Sequence, residues 1–309
     1  MAILTAAAPA RGRAASPATF SPVAPKKKDP VYYALLLPSL LLFTLCITVP
    51  AIMGIVYSFT NSVGFGAFRF VGVQNYIAAF QDPSIWSAYG FTFLFAIVTT
   101  ILVNVLAFML AMGLNAKIKA KTTLRTIFVI PMVISGIVIA YVFSYLFANS
   151  LPAFATAIHF APLETSILAN PSLAWLSIVI VATWQAIPSA LLIYTAGLLS
   201  IPAEVYEAGS LDGATGWRKM TSITIPLTAG YILINVIMGF KGFMQVYDVI
   251  IGLTNGGPGT ATTSVAMAIF GGLSNGQYAY QMANATIFFI ITIIIALLQL
   301  RLNRGRAAF

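Results

Sequence analysis

Charge is what this chain has least of. Its 309 residues include seven acids, sixteen Lys and Arg and one His, so charged residues make up only 7%. A soluble domain carries about 25%, and a fold this poor in charge could not cover its core with polar surface. The solvent for most of the chain is therefore a bilayer. Cysteine is nearly absent. Cys46 is the only one, which excludes an internal disulfide and a Cys-based metal site. The only histidine, His159, has Glu164 nearby in sequence and reads as half of a solvated loop pair rather than a metal ligand. No Gly-Lys dipeptide occurs, so the chain has no P-loop to wrap nucleotide phosphates. There is no repeat with a period of 20–50 residues.

What is present is apolar length. Six runs approach or exceed the roughly 20 residues that span hydrocarbon: about Tyr33–Phe59, Phe91–Leu114, Ile127–Phe147, Leu173–Leu199, Ala229–Val249 and Ala285–Leu300. They lack the alternation of a membrane barrel. Helices satisfy every backbone N–H and C=O within their own segment, so an all-α polytopic protein with six transmembrane helices is expected. Prolines at 38, 50, 131 and 188 mark expected interruptions.

The net charge of +9 sits in short segments between the runs, which points to membrane orientation and not to nucleic acid. Five basic residues lie in the first thirty. Lys117, Lys119, Lys121 and Arg125 join the second and third runs, Arg218 and Lys219 the fourth and fifth, and Arg301, Arg304 and Arg306 close the chain. The opposite side holds only Arg69. Both termini are thus expected in the cytoplasm. Residues 1–30 read as a disordered basic tail. Five prolines oppose the amphipathic helix of a transit peptide, and the run that follows is too long for a cleaved signal. The remaining divisions are a first helix at 31–60, an external segment at 61–88, a core at 89–300 with a cytoplasmic loop at 200–226, and a cytoplasmic end at 301–309.

Polar side chains inside the runs are few. Lys241, Gln245 and Asp248 fall at i, i+4 and i+7 of the fifth, flanked by Phe243 and Tyr247, with Gly239 and Gly242 making room. Gln185 and Ser189 stand with Trp184 around Pro188 in the fourth, and Asn104 lies in the second. Ionisable groups at membrane depth face a bundle interior or a wet cavity. Two readings stay open: a polar network that locks helices together, or a path of hydrogen-bonding groups and aromatic faces suited to sugars. Gly272-Leu273-Ser274-Asn275-Gly276 matches the hydrolase pattern G-x-S-x-G, but no strand–turn–helix context surrounds it. The segment from Leu253 to Ser264 reads as an external, turn-rich loop.

The insert "YEAGSLDGATGWRKMTSITIP" (206–226) interrupts the apolar pattern on the cytoplasmic side. A helix from about Pro202 to Leu211 is predicted, with Val205, Ala208 and Asp212 on or near one face and Gly213 ending it in a left-handed turn. Thr215 is placed to cap a second helical turn. Glu207-Ala208-Gly209, three residues, Gly213, nine residues, then Ile223-Thr224-Ile225-Pro226 resembles the EAA loop of binding-protein-dependent ABC importer permeases. Gly209 and Ile225 depart from that pattern, each keeping a small or aliphatic side chain. "FVGVQNYIAAFQDPSIW", "GLLSIPAEVYEAG" and "YDVIIGLTNGGPGTAT" resemble the carbohydrate-uptake branch of the same family, so the likeness covers roughly residues 33–300.

The resemblance implies a type I importer fold in a bacterial or archaeal cell membrane. It implies a second homologous permease subunit, two ATPase subunits that bind the ATP and Mg²⁺, and an external solute-binding protein that meets the turn-rich loop. This chain would bind no cofactor. Glu207, Ala208, Gly209, Asp212 and Gly213 would then couple it to the ATPase, and Gln185, Ser189, Lys241, Gln245, Tyr247 and Asp248 would line the path of a sugar, oligosaccharide or polyol. Lys241 would equally suit an anionic cargo such as a glycerol phosphate. An ion-gradient-driven secondary transporter would use Lys241 and Asp248 as a relay, and a membrane scaffold would use no path at all.

Overall fold

The computed structural model of the chain describes residues 30–116 and 121–303. The basic tail and the ends of two basic segments (Lys117, Lys119, Arg304 and Arg306) lie outside the described residues. Two compact units divide at Pro50, and each stands by itself. In the first, α1 (Pro30–Phe43) leads into a π-turn at Thr44–Thr48. Its apolar side chains stand exposed, Leu35 by 73%, as a face made for hydrocarbon would.

The division falls at the start of α2 (Val49–Tyr57), and the second unit then contains α3 (Gln74–Gln81), α4 (Pro83–Asn115) and α5 (Lys121–Val133). Next come α6 (Gly136–Tyr145), α7 (Leu151–Ala157) and the long α8 (Pro171–Leu199). The insert forms α9 (Ala203–Leu211), α10 (Gly216–Lys219) and α11 (Ile225–Leu227). The chain ends with α12 (Ala229–Met244), α13 (Asp248–Leu253), α14 (Val265–Ser274) and α15 (Tyr278–Asn303). Among the described residues, extended pairing is limited to one isolated bridge, Thr60 with Phe70.

Among the described residues, five helices are long and apolar enough to cross a membrane: Tyr33–Tyr57, Pro83–Asn115, Gly136–Ala157, Pro171–Leu199 and Tyr278–Arg301. A sixth span is counted only if Gly216–Leu227 and Ala229–Met244, bent by 69°, are taken together. Two expected runs are corrected. The third does not cross as Ile127–Phe147. Pro131 stays inside α5, and the chain leaves the helix at Ser135 (ψ 136°) before restarting at Gly136. A continuous apolar run carries no sign of such a break beyond the Ser-Gly pair. The fifth run ends at Met244 instead of Val249, for reasons given with the site below. Pro188, by contrast, sits buried within an unbroken α8.

Three π-turns share one cause. Thr44–Thr48, Leu146–Ser150 and Met220–Thr224 each end two residues before a proline, Pro50, Pro152 and Pro226. A proline inside a helix has no N–H and its ring crowds the carbonyl four residues back. In each turn the residue just before the proline donates five residues back instead, Val49 to Thr44, Leu151 to Leu146 and Ile225 to Met220. The wider turn relieves the crowding and keeps the helix going.

The core lies between α4 and α8. Ala107, Ala111, Ala182 and Ala190 are buried there, so the backbones approach closely. Polar locks join the elements. The Tyr194 hydroxyl donates to Asn104, which also bonds the Thr100 carbonyl, so Asn104 ties the second span to the fourth. Asn235 of α12 donates to the Ala190 carbonyl at 3.2 Å, and the Tyr89 hydroxyl reaches buried Asn284 of α15 at 3.3 Å.

Asp82 fastens the N-terminal ends of α4 and α15. It caps α4, accepting from the Ser84 backbone at 2.8 Å and the Ser84 hydroxyl at 2.7 Å, and it accepts from the Tyr280 hydroxyl at 2.7 Å. The Ser84 and Tyr280 bonds hold its carboxyl below the usual carboxylate value. A depressed carboxylate contributes stability above its unfolded value of about 3.9. That contribution is lost as pH falls through the lower folded value. Asp82→Asn should therefore flatten the thermal stability profile below about pH 5, and Tyr280→Phe should raise the pH at which acid loosens α15. Melting curves of both variants that track the wild type throughout that range would show the clasp to be inert.

Candidate functional site

A cavity of about 320 Å³ opens where α6, α8, α12 and α13 meet. Gln185, Tyr247 and Asp248 line it together with Gly136, Gly242 and Phe243. The break in the fifth run creates it. Gln245 caps α12 by donating to the Gly242 and Phe243 carbonyls, and Tyr247 takes φ −141° and ψ −60°. The groups freed by the break find partners. The Val246 carbonyl accepts from the Ser264 hydroxyl at 2.8 Å, and the Tyr247 carbonyl accepts from Ile251 N–H at 3.0 Å. Asp248 then opens α13, where the helix end favours negative charge.

Close backbone contacts shape the walls. A Cβ on Gly136 would lie 3.2 Å from Gln185 Nε2 and 3.9 Å from Asp248 Cβ, so the missing side chain leaves both groups facing open space. Gly252 of α13 rests against Ala140 of α6, where an added methyl would overlap. Phe243 meets Phe95 edge-on at 6.0 Å, and Tyr247 packs on Phe270 at 5.1 Å. Pro188 has no N–H to return to the Trp184 carbonyl, one residue before Gln185. The cavity therefore offers one carboxylate, one amide, one phenol and aromatic faces. Such a set hydrogen-bonds hydroxyls and stacks on C–H faces.

Of the six residues expected along a path, the cavity collects Gln185, Tyr247 and Asp248. Lys241 on α12 and Gln245 just past its end are exposed and do not line it. The helix break removes the single face on which Lys241, Gln245 and Asp248 were expected. Ser189 is exposed and its hydroxyl donates to its own helix at Ala186, 2.9 Å away. Gly136 was missed, because nothing local distinguishes it from a turn glycine until Gln185 is placed against it.

The cytoplasmic insert folds as a hairpin, α9 against the π-turn at Met220–Thr224. The predicted helix is present at Ala203–Leu211 with Pro202 in the capping position. Gly213 is left-handed at φ +76°. Ala214 N–H bonds the Gly209 carbonyl at 2.8 Å and Gly213 N–H bonds the Ser210 carbonyl at 3.2 Å, the paired bonds of a Schellman ending. Thr215 precedes α10, but its side chain makes no capping bond.

The two sides of α9 differ. Tyr206 bonds Thr224 at 3.1 Å, Lys219 Nζ donates to the Ser210 hydroxyl, and a Cβ on Gly209 would come within 2.5 Å of Ile223 Cδ1. Gly209 is small because its own chain packs on it. Glu207, Ala208, Leu211 and Asp212 face outward, Leu211 at 90% exposure, and Trp217 beside them is 74% exposed. Leu211 thus stands exposed between two acids, Glu207 and Asp212.

Two further sequence features find structural explanations. Ser274 closes α14, and Gly276 at φ +80° ends that helix through the Gln277 N–H bond to Gly272 at 2.9 Å. The G-x-S-x-G pattern is thus a helix ending, not a strand–turn–helix elbow. His159 (φ 54°) ends α7 in the same way, through Phe160 N–H to Ala155 at 2.8 Å. No cluster of three metal-ligating side chains occurs among the described residues. The loop before Ser264 is internally bonded: Thr254 meets Thr262 at 2.8 Å, and Thr262, fully buried, donates to the Gly257 carbonyl at 2.7 Å.

The sequence pattern of the family described as "Binding-protein-dependent transport system inner membrane component" matches residues 104–307. The multiple sugar-binding transport system permease protein MsmF of Streptococcus mutans is 34% identical over 257 residues, 82% of this chain and 89% of that protein. The probable starch degradation products transport system permease protein AmyD of Thermoanaerobacterium thermosulfurigenes is 29% identical over 276 residues, 89% of this chain and 94% of that one. Among solved structures, a chain of a bacterial alginate ABC transporter, in complex with an alginate pentasaccharide-bound periplasmic protein, superposes with a TM-score of 0.78 at 21% identity. It covers 90% of this chain and 95% of that one.

The Schellman ending of α9 gives a direct test. A side chain at a left-handed position costs about 1–2 kcal/mol, and Asn tolerates it best. Gly213→Ala should speed tryptic cleavage at Arg218 in membranes, while Gly213→Asn should stay near wild type. Equal cleavage of all three would mean that Gly213 does not hold the hairpin.

Proposed function

Because this chain belongs to the family of binding-protein-dependent transport system inner membrane components, we propose that the cavity beside Asp248 is its half of a sugar path and that the α9 hairpin couples it to a separate ATPase. The protein is a transmembrane permease of a carbohydrate-uptake ABC importer with the type I fold. The cavity carries the rest of the reading, since it brings Gln185, Tyr247 and Asp248 together at a break in the membrane helix. Broken helices at midspan are where transporters place their cargo.

The chemistry of the lining favours a polyhydroxyl cargo. Asp248 accepts from hydroxyls, Gln185 both donates and accepts, and the Phe243 and Tyr247 rings offer faces to C–H groups. A second homologous permease would complete the path. Both termini and the hairpin would face the cytoplasm, as the basic segments argue. Two ATPase subunits carrying ATP and Mg²⁺ would receive the outward face of α9. Glu207 supplies a charge-assisted hydrogen bond there, and Ala208 and Leu211 supply close apolar contact. An external binding protein would deliver cargo, as the periplasmic protein does in the alginate transporter complex. Closure of the ATPase pair on ATP would move the hairpins, and the spans would open outward and then reset after hydrolysis.

Two experiments check this. Glu207→Ala should weaken co-purification of the ATPase while membrane insertion is unchanged; undiminished co-purification and uptake would remove its role. A hydrogen bond to a charged group contributes roughly 1.5–3 kcal/mol, so Asp248→Ala and Gln185→Ala should lower sugar uptake about tenfold or more. Ser189→Ala and Gln245→Ala should change it little. The opposite ranking would move the path away from the cavity.

A further inference from the structure

Arg125 carries an unsolved balance. Its Nε and Nη2 are buried and meet no hydrogen-bond partner among the described residues. Arg125 is half-buried, and the edge of its guanidinium formed by Nε and Nη2 has lost water without gaining a partner there, which is unfavourable. The flanking residues of α5 show where it sits. Leu124 and Phe128 pack against the buried cluster that α4 and α8 share, which reaches Leu114 and Leu198 at the loop-side ends of those helices. Lys117, Lys119 and Lys121 precede it in sequence.

A second observation lies deeper along the same helix. A groove of about 330 Å³ is lined by Leu110 of α4, Phe128, Ile130 and Pro131 of α5, and Trp184 and Ile187 of α8. No ionisable side chain lines it. With a rise of 1.5 Å per residue, Ile130 is about 7.5 Å along α5 from Arg125. A cation with one edge unpartnered among the described residues thus stands at the loop end of an apolar channel.

We propose that this is a binding site for an anionic phospholipid, with the phosphate on the Arg125 guanidinium and one acyl chain in the groove. The pairing satisfies both features at once. Arg forms two-pronged hydrogen bonds to phosphate, and basic pockets between helices on the cytoplasmic side suit anionic headgroups. A soluble anion would leave the groove empty, and an uncharged lipid would leave the guanidinium unpaired. The groove shares Trp184 with the helix turn that carries Gln185, so an occupant would press on the wall of the cavity.

The full chain, purified with its accompanying subunits from membranes holding equal phosphatidylglycerol and phosphatidylethanolamine, should retain phosphatidylglycerol in severalfold excess by lipid mass spectrometry. Arg125→Gln should bring the two lipids to parity, and Arg125→Lys should keep part of the excess. Filling the groove with Leu110→Trp should lower retention of both lipids without touching the charge. Millimolar inorganic phosphate should not displace the lipid. Wild-type retention in Arg125→Gln would overturn the proposal. So would displacement by free phosphate, or loss of a co-purifying subunit in Arg125→Gln with lipid retention unchanged, which would identify that subunit as the partner of the guanidinium.

Discussion

Hydrocarbon offers no hydrogen bonds, and this one constraint organises the molecule. A helix meets the demand within itself. Wherever the chain stops being helical at membrane depth, some other group has to take over the abandoned donors and acceptors. The Val246 carbonyl accepts from the Ser264 hydroxyl, eighteen residues on, and that bond lets α12 end and the cavity exist. The break and its remedy are one feature. Without Ser264, opening the helix beside Asp248 would strand a carbonyl in an apolar wall.

The same constraint explains how much could be read beforehand. Composition and run length were enough for an all-helical membrane protein, because the requirement to close hydrogen bonds locally leaves few alternatives. The hairpin at 200–226 was legible for a different reason. Its helix start, its left-handed glycine and its closing proline are all local signals, and the structure carries each of them. Thr215 shows the limit of such signals: it occupies the capping position without using its hydroxyl. The interruptions at Ser135 and Gln245 were not legible. Each meets something far away in sequence: Gln185 lies beside Gly136, and the Ser264 hydroxyl bonds the Val246 carbonyl. A periodicity argument carried across Gln245 put Lys241 and Asp248 on one face that does not exist.

The small residues divide by role in the same way. Gly213 answers a backbone need that can be read from the sequence. Gly209, Gly136 and Gly252 answer the approach of another part of the chain, to Ile223, Gln185 and Ala140 respectively. Function follows from both kinds. The first fixes the angle of the hairpin, and the second leaves the spans a pocket between broken ends.

The widened turns ahead of Pro50, Pro152 and Pro226 have a consequence for how this protein's surfaces are mapped. Each holds one residue more than an ordinary turn, so the direction of every later side chain lags by about 100° behind an uninterrupted wheel. Lipid-facing and buried positions therefore exchange phase on crossing 44–48, 146–150 and 220–224. A labelling survey plotted on a single helical wheel would blur in those segments, and would sharpen once each is drawn as two wheels offset by a residue.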